Sequence, residues 1–234
     1  MNGLDIFDLP GLEDGVTPTE PIEEEDVPGL SNPENIFIFS EDENCKKPLP
    51  MVPIKVVVKE KGLLYIVDLF GAIYTDRYYR ELISLLETSS KDTTFVIRIS
   101  SPGGDIAVGT IIASAIMNSK ATVIGVAVGA IASAATFLWS CCHKQAVMDG
   151  AVMLFHMSSH GDYGVSTQIQ ERASSLINYV KEYLLGISLR KGHLLEEEYD
   201  TIINQSKDII VGTKAMRDRL ESNPNYIQDI KAVL

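Results

Sequence analysis

An α/β fold on a largely parallel sheet is what this sequence predicts, and three observations carry the prediction. From Ile54 onward, short β-branched runs alternate with longer segments of helical apolar spacing, in the order β-α-β-α-β-α. Apolar residues make up 45% of the 234 positions and charged residues 22%, the balance of a globular chain with one sizeable core. Turns rich in small residues follow two of the strand segments, at the sheet edge where parallel sheets with right-handed crossovers collect their ligands.

The elements follow in order. Residues 1–50 stand apart: eight of the ten prolines lie at or before Pro53, and residues 1–45 hold 13 of the 32 acidic residues with no Lys or Arg. The formal charge of −12 therefore resides in this segment, and the remainder is close to neutral at +1. Such a composition buries too little to order itself alone, so 1–50 reads as an acidic extension and 51–234 as the domain. Its apolar islands, LDIFDLPGL and NIFIF, leave two readings open, docking on the body or a partner and a solubilising tail. No basic stripe exists for nucleic acid, and an acidic segment repels phosphate.

IKVVVKE and LLYIVDLF predict strands joined across Lys61 and Gly62, and DRYYRELISLLETS a helix. TTFVIRIS is a strand, AVGTIIASAIMN a helix, ATVIGVAV a strand and SAATFLWSCC a helix. AVMLFH reads as a buried strand ending in His156. VSTQIQERASSLINYVKEYLLGISLRKG predicts one helix of more than twenty residues, and LLEEEYDTIINQ another. No apolar run reaches the roughly 18 residues of a membrane span, and the start lacks a secretory pattern, so a cytoplasmic chain is expected. Cys45, Cys141 and Cys142 are odd in number and two are adjacent, which predicts reduced thiols. Adjacent Cys141, Cys142 and His143 point in different directions on a helix, so no metal site is expected, and no cofactor.

The turn SPGGD couples a proline, which fixes φ, to Gly103 and Gly104, which let the backbone approach a ligand with its N–H groups free. The turn VGAIAS delivers Ser133 to a helix start, where a serine is most often an N-cap. Its setting changes once His156 is placed at the end of a neighbouring strand, because a nucleophilic serine needs a base within hydrogen-bond reach. The other histidines have poorer settings: His143 follows the cysteines, His160 lies in a glycine-bearing loop, and His193 sits by Gly192 between helices.

Together, IRISSPGGDIAVGTIIASAI, GAIASAATFL and AVMLFHMSSHG resemble three blocks of the Clp protease proteolytic subunit family and its phage relatives, over residues 63–234. The resemblance implies a ClpP-like, crotonase-related fold of repeated β-α-β units with a protruding long-helix handle, and a serine endopeptidase. It assigns Ser133 as nucleophile and His156 as base, with the N–H groups of Gly104 and Ala134 as the oxyanion hole. Asp208 in KDIIVGTKAM fits the family's aspartate frame better than Asp162 or Asp200. The resemblance also implies an extended peptide substrate beside Gly103, Asp105 and Ile106, and a homo-oligomeric ring, two of which stack. Ile169, Ala173, Leu176, Ile177, Val180 and Leu184 match the handle, although the same spacing equally serves the domain's own core.

Two departures from the family stand out. The residues around the serine are GAIASAA, without the family's polar residue before it, and Ala134 replaces a methionine. No counterpart of the N-terminal pore loop is visible, which bears on docking to an ATP-dependent unfoldase. Three alternatives stay open: a phage prohead or head-maturation protease with capsid or scaffold partners, a ring subunit with a vestigial triad, and a crotonase-type acyl-thioester enzyme.

Overall fold

The computed structural model describes residues 52–59, 62–158 and 166–232, so the acidic extension, His160 and Asp162 lie outside the described residues. Within them one sheet comprises β1 (Ile54–Val58), β2 (Leu63–Phe70), β3 (Thr94–Ser101), β4 (Thr122–Ala132), β5 (Lys144–Val147), β6 (Val152–Phe155) and β7 (Ile209–Gly212). The order is β1-β2-β3-β4-β6-β7, with β5 paired to β4. β2, β3, β4, β5 and β6 pair in parallel, while β1 and β7 close the two edges antiparallel. The expected α/β class and its largely parallel sheet are therefore observed.

Helices α1 (Arg80–Thr88), α2 (Ile106–Asn118) and α3 (Ala134–Cys141) connect the parallel strands. Alternation along β3 sends Phe95, Ile97 and Ile99 to one face of the sheet, where they pack with Leu82 and Leu86 of α1, Ile112 and Ile116 of α2 and Leu138 of α3. Val96 points to the opposite face with Leu64, Ile124 and Val126, under Ile230. Every residue of α3 is buried, and Trp139 at its centre donates its indole N–H to the Gly125 carbonyl at 3.1 Å. The amphipathic stripe of an ordinary surface helix is missing because α3 is covered on all sides.

Four elements differ from the sequence expectation. The helix begun at Asp76 opens with a 3-10 turn, Asp76–Tyr79, before α1. β4 does not stop at Val128 but runs to Ala132, because its second half finds a new partner: Ile124–Ala127 pair with β5, then Ala130–Ala132 with β6. The VGAIAS turn thus contracts to Ser133 alone. β5 was not foreseen, since its four residues KQAV carry no apolar alternation; main-chain bonds from Gln145 N–H to Asn225 and from Ile227 N–H to Gln145 hold it instead. The long helix is continuous from 166 to 190, but as α4 (Ser166–Tyr179), a π turn (Val180–Leu185) and α5 (Gly186–Arg190).

Along that helix, Ile177 is exposed, Ala173, Leu176 and Leu184 are half-buried, and Val180 is buried in the main core. The domain's own core thus accounts for Leu176, Val180 and Leu184 of the apolar stripe; the Ile169 side chain lies outside the described residues. α6 (Glu196–Gln205) and α7 (Thr213–Leu220) complete the chain, with β7 between them. No helix among the described residues is long and apolar enough to cross a membrane. Because β3, β4 and β6 lie side by side in parallel, their C-terminal ends bring the glycine turn, Ser133 and His156 to one edge.

Candidate active site

Ser133 is the single residue between β4 and α3, and the chain reverses there in a conformation that side chains seldom adopt, φ +56° and ψ −126°. A non-glycine residue in such a region costs on the order of 1–3 kcal/mol and persists only when its surroundings hold it. Here the Ser133 N–H donates to the Leu154 carbonyl at 3.2 Å, and the Ser133 carbonyl accepts from the Phe137 N–H at 3.1 Å. The hydroxyl makes no capping bond to α3. The commonest role of a serine at a helix start is therefore not the one it plays.

The glycine turn closes over this reversal. Gly103 lies at φ +89°, and a Cβ there would sit 2.6 Å from the Ala132 carbonyl oxygen and 2.7 Å from Ser133 Cβ, so a side chain would collide with the Ser133 turn. The Ser101 hydroxyl accepts the Gly103 N–H at 3.1 Å. The segment after β2 holds the turn from the other side: Ile73 N–H donates to the Gly103 carbonyl and Asp105 N–H to the Ile73 carbonyl, each at 2.8 Å. Among the described residues, the N–H groups of Gly104 and Ala134 have no acceptor. Asp105 caps α2, its carboxylate accepting the Val108 N–H at 3.0 Å, and Ile106 lines the adjoining cleft.

His156 follows the last residue of β6 and lines the same cleft as Ser133. Its Nε2 is buried and, among the described residues, has no hydrogen-bond partner. Asp208 immediately precedes β7. The antiparallel register pairs Phe155 with Ile209, and one further step places His156 opposite Asp208. The Asp208 carboxylate is exposed, however, and among the described residues no hydrogen bond joins it to His156. Asp200 is exposed on α6, away from this register.

The cleft wall is apolar where Ile106, Phe137, Val180 and Leu184 meet, and Thr136, Ser158 and Ser188 also line it. Sequence reasoning passed over these three. A usable signal existed for two: Thr136 is one helical turn beyond Ser133, and Ser158 is two residues beyond His156, on the same side of an extended chain. The Ser158 hydroxyl, like His156 Nε2, is buried without a partner among the described residues.

Behind α3, Ser188 donates to the Ser140 hydroxyl at 2.9 Å, and His193 Nδ1 lies 3.0 Å from the same oxygen. These bonds tie the base of the long helix to the helix that carries Ser133. Burial, reinforced by nearby Lys191 and Arg219, lowers the His193 pKa to about 3, so this imidazole stays neutral. Burial also pushes Cys142 up to about 12 and raises Cys141, which leaves both as unreactive thiols. His143 Nδ1 accepts the Val123 N–H at 3.1 Å, and among the described residues no group of three or more His, Cys, Asp or Glu gathers as metal ligands.

A family model described as Clp protease matches residues 64–208, a span that contains the glycine turn, Ser133 and His156 and ends on Asp208. The ATP-dependent Clp protease proteolytic subunit 2 of Borreliella burgdorferi is 32% identical over 153 residues, covering 63% of this chain and 75% of that relative.

Proposed function

The chain belongs to the Clp protease family, and from that premise we propose that it is a serine endopeptidase using Ser133, His156 and Asp208. The observation that carries the proposal is the pairing of a strained Ser133, whose hydroxyl is not spent on capping, with a partnerless His156 Nε2 in the same cleft. In this reading His156 Nε2 takes the hydroxyl proton as Ser133 Oγ adds to the scissile carbonyl carbon. The carbonyl π electrons move to oxygen, where the N–H groups of Gly104 and Ala134 stabilise the charge, each donor contributing on the order of 3 kcal/mol. The C–N bond then breaks, His156 returns its proton to the leaving amine, and water hydrolyses the acyl-enzyme by the same steps in reverse. Asp208 orients the imidazole and stabilises its charged form.

The substrate lies extended along the glycine turn past Gly103 and Ile106, while Asp105 serves by fixing the start of α2. The working form is a homo-oligomeric ring with protein or peptide substrates. An exposed Asp208, with no hydrogen bond to His156 among the described residues, supports a triad completed on assembly, since a carboxylate in water competes poorly for an imidazole N–H. Fluorophosphonate labelling of the assembled protein tests the proposal: wild type should label and Ser133→Ala should not. Absence of label on wild type in every assembled state would falsify it and leave the family's fold with a vestigial triad.

A further inference from the structure

The carbonyl of Leu154, two residues before His156, accepts two hydrogen bonds: the Ser133 N–H at 3.2 Å and the Thr136 hydroxyl at 3.0 Å. A helical threonine commonly turns its hydroxyl back to a carbonyl three or four residues earlier in its own helix. Thr136 instead reaches across to β6. It is 1% exposed, so no water competes for that bond, and its branched side chain has little freedom to adopt another rotamer.

The location gives the bond its consequence. β4 and β6 are paired over only three residues each, Ala130–Ala132 with Val152–Leu154, and the pairing ends at Leu154. Among the described residues, His156 Nε2 has no hydrogen-bond partner to hold the ring. The place of the imidazole relative to Ser133 therefore depends on how firmly the end of β6 is attached to the nucleophile turn, and two bonds converging on one carbonyl make that attachment.

We propose that Thr136 is a positioning residue, whose hydroxyl locks the histidine-bearing end of β6 to the Ser133 turn. The inference rests on the serine-protease reading for its effect on rate, but its geometric content stands apart from it. Thr136 takes no proton and acts through Leu154. A misplacement of about 1 Å between reacting groups lowers turnover by roughly 100-fold while leaving binding contacts intact.

The test compares Thr136→Val, which keeps the shape and removes the hydroxyl, with Thr136→Ser, which keeps the hydroxyl and removes the methyl, in the full-length assembled protein. Peptide hydrolysis should show kcat reduced about 10- to 100-fold in Thr136→Val with KM nearly unchanged, and Thr136→Ser close to wild type. In parallel, the His156 imidazole resonances and the exchange rate of the Ser133 amide should change in Thr136→Val and not in Thr136→Ser. If Thr136→Val does not fold, Thr136→Ser against Thr136→Ala isolates the same hydroxyl. Unchanged kcat and unchanged His156 resonances in the hydroxyl-free variant overturn the proposal, as does a serine variant as impaired as the valine one. If wild type hydrolyses nothing and takes no fluorophosphonate, the protease reading has failed, and the His156 and Ser133 spectroscopic readouts still decide the positioning role.

Discussion

The two sides of the candidate site are built to different tolerances. On the serine side, Gly103 touches Ser133 at a distance that excludes a side chain, Ser133 is held in a strained conformation, and α3 behind it is wholly buried. On the histidine side, among the described residues, His156 Nε2 has no partner and the Asp208 carboxylate stands exposed across the strand register. The difference teaches where the chain's own folding free energy is spent: the Ser133 turn and the glycine turn beside it are fixed by the fold, while His156 sits at a weaker edge. Antiparallel β7 is a four-residue edge strand, and edges are where a neighbouring subunit or a substrate can most readily add order.

The largest expected effect probes the loose side. In the proposed triad Asp208 selects the His156 tautomer, so with Asp208→Asn the kcat of the assembled protein should fall by about 10⁴-fold with the Ser133 turn undisturbed. A loss smaller than about tenfold would exclude Asp208 from the triad and leave the loose side unexplained.

Next comes the tight side. Gly103→Ala pushes a methyl against Ser133 Cβ and the Ala132 carbonyl in a backbone conformation that alanine resists, so fluorophosphonate labelling should slow by at least roughly 100-fold. Labelling at the wild-type rate would mean that the serine turn is as adaptable as the histidine edge, and the contrast would vanish.

The smallest effect reads the support behind the tight side. His193 has its folded-state pKa lowered to about 3, so between that value and its unfolded value near 6.5 the unfolded chain binds the extra proton. The stability this group contributes is thus complete above about pH 6.5 and is lost as pH falls, by up to about 1.4 kcal/mol for each pH unit. Urea midpoints at pH 7 and pH 5 should separate more for wild type than for His193→Gln; equal separations would show that the imidazole accepts a proton in place.

Legibility in the sequence followed the range of the interactions. The strands and helices of the parallel core were readable because each carries its own periodicity, as in TTFVIRIS and DRYYRELISLLETS. β5 was not, because KQAV is a strand only through its pairing with β4 and its main-chain bonds to Asn225 and Ile227, some eighty residues later in the chain. Ser133, His156 and the glycine turn were readable as residue types at the ends of strands. Ser188 was not, because nothing local shows that its hydroxyl meets Ser140 of α3; Thr136 and Ser158 were marked only by their spacing from Ser133 and His156.

By itself, then, the sequence determined the α/β class, the order of the elements, the acidic composition of residues 1–50 and the residues that could carry serine chemistry, because periodicity, charge and turn chemistry act over a few neighbours. Tertiary structure alone decided that β4 changes partner midway, that Ser133 turns in one strained residue, that Thr136 crosses to Leu154, and that Asp208 meets solvent. Each of these depends on which distant backbone groups remain unpaired after the sheet has closed, and that is settled only when the strands are side by side.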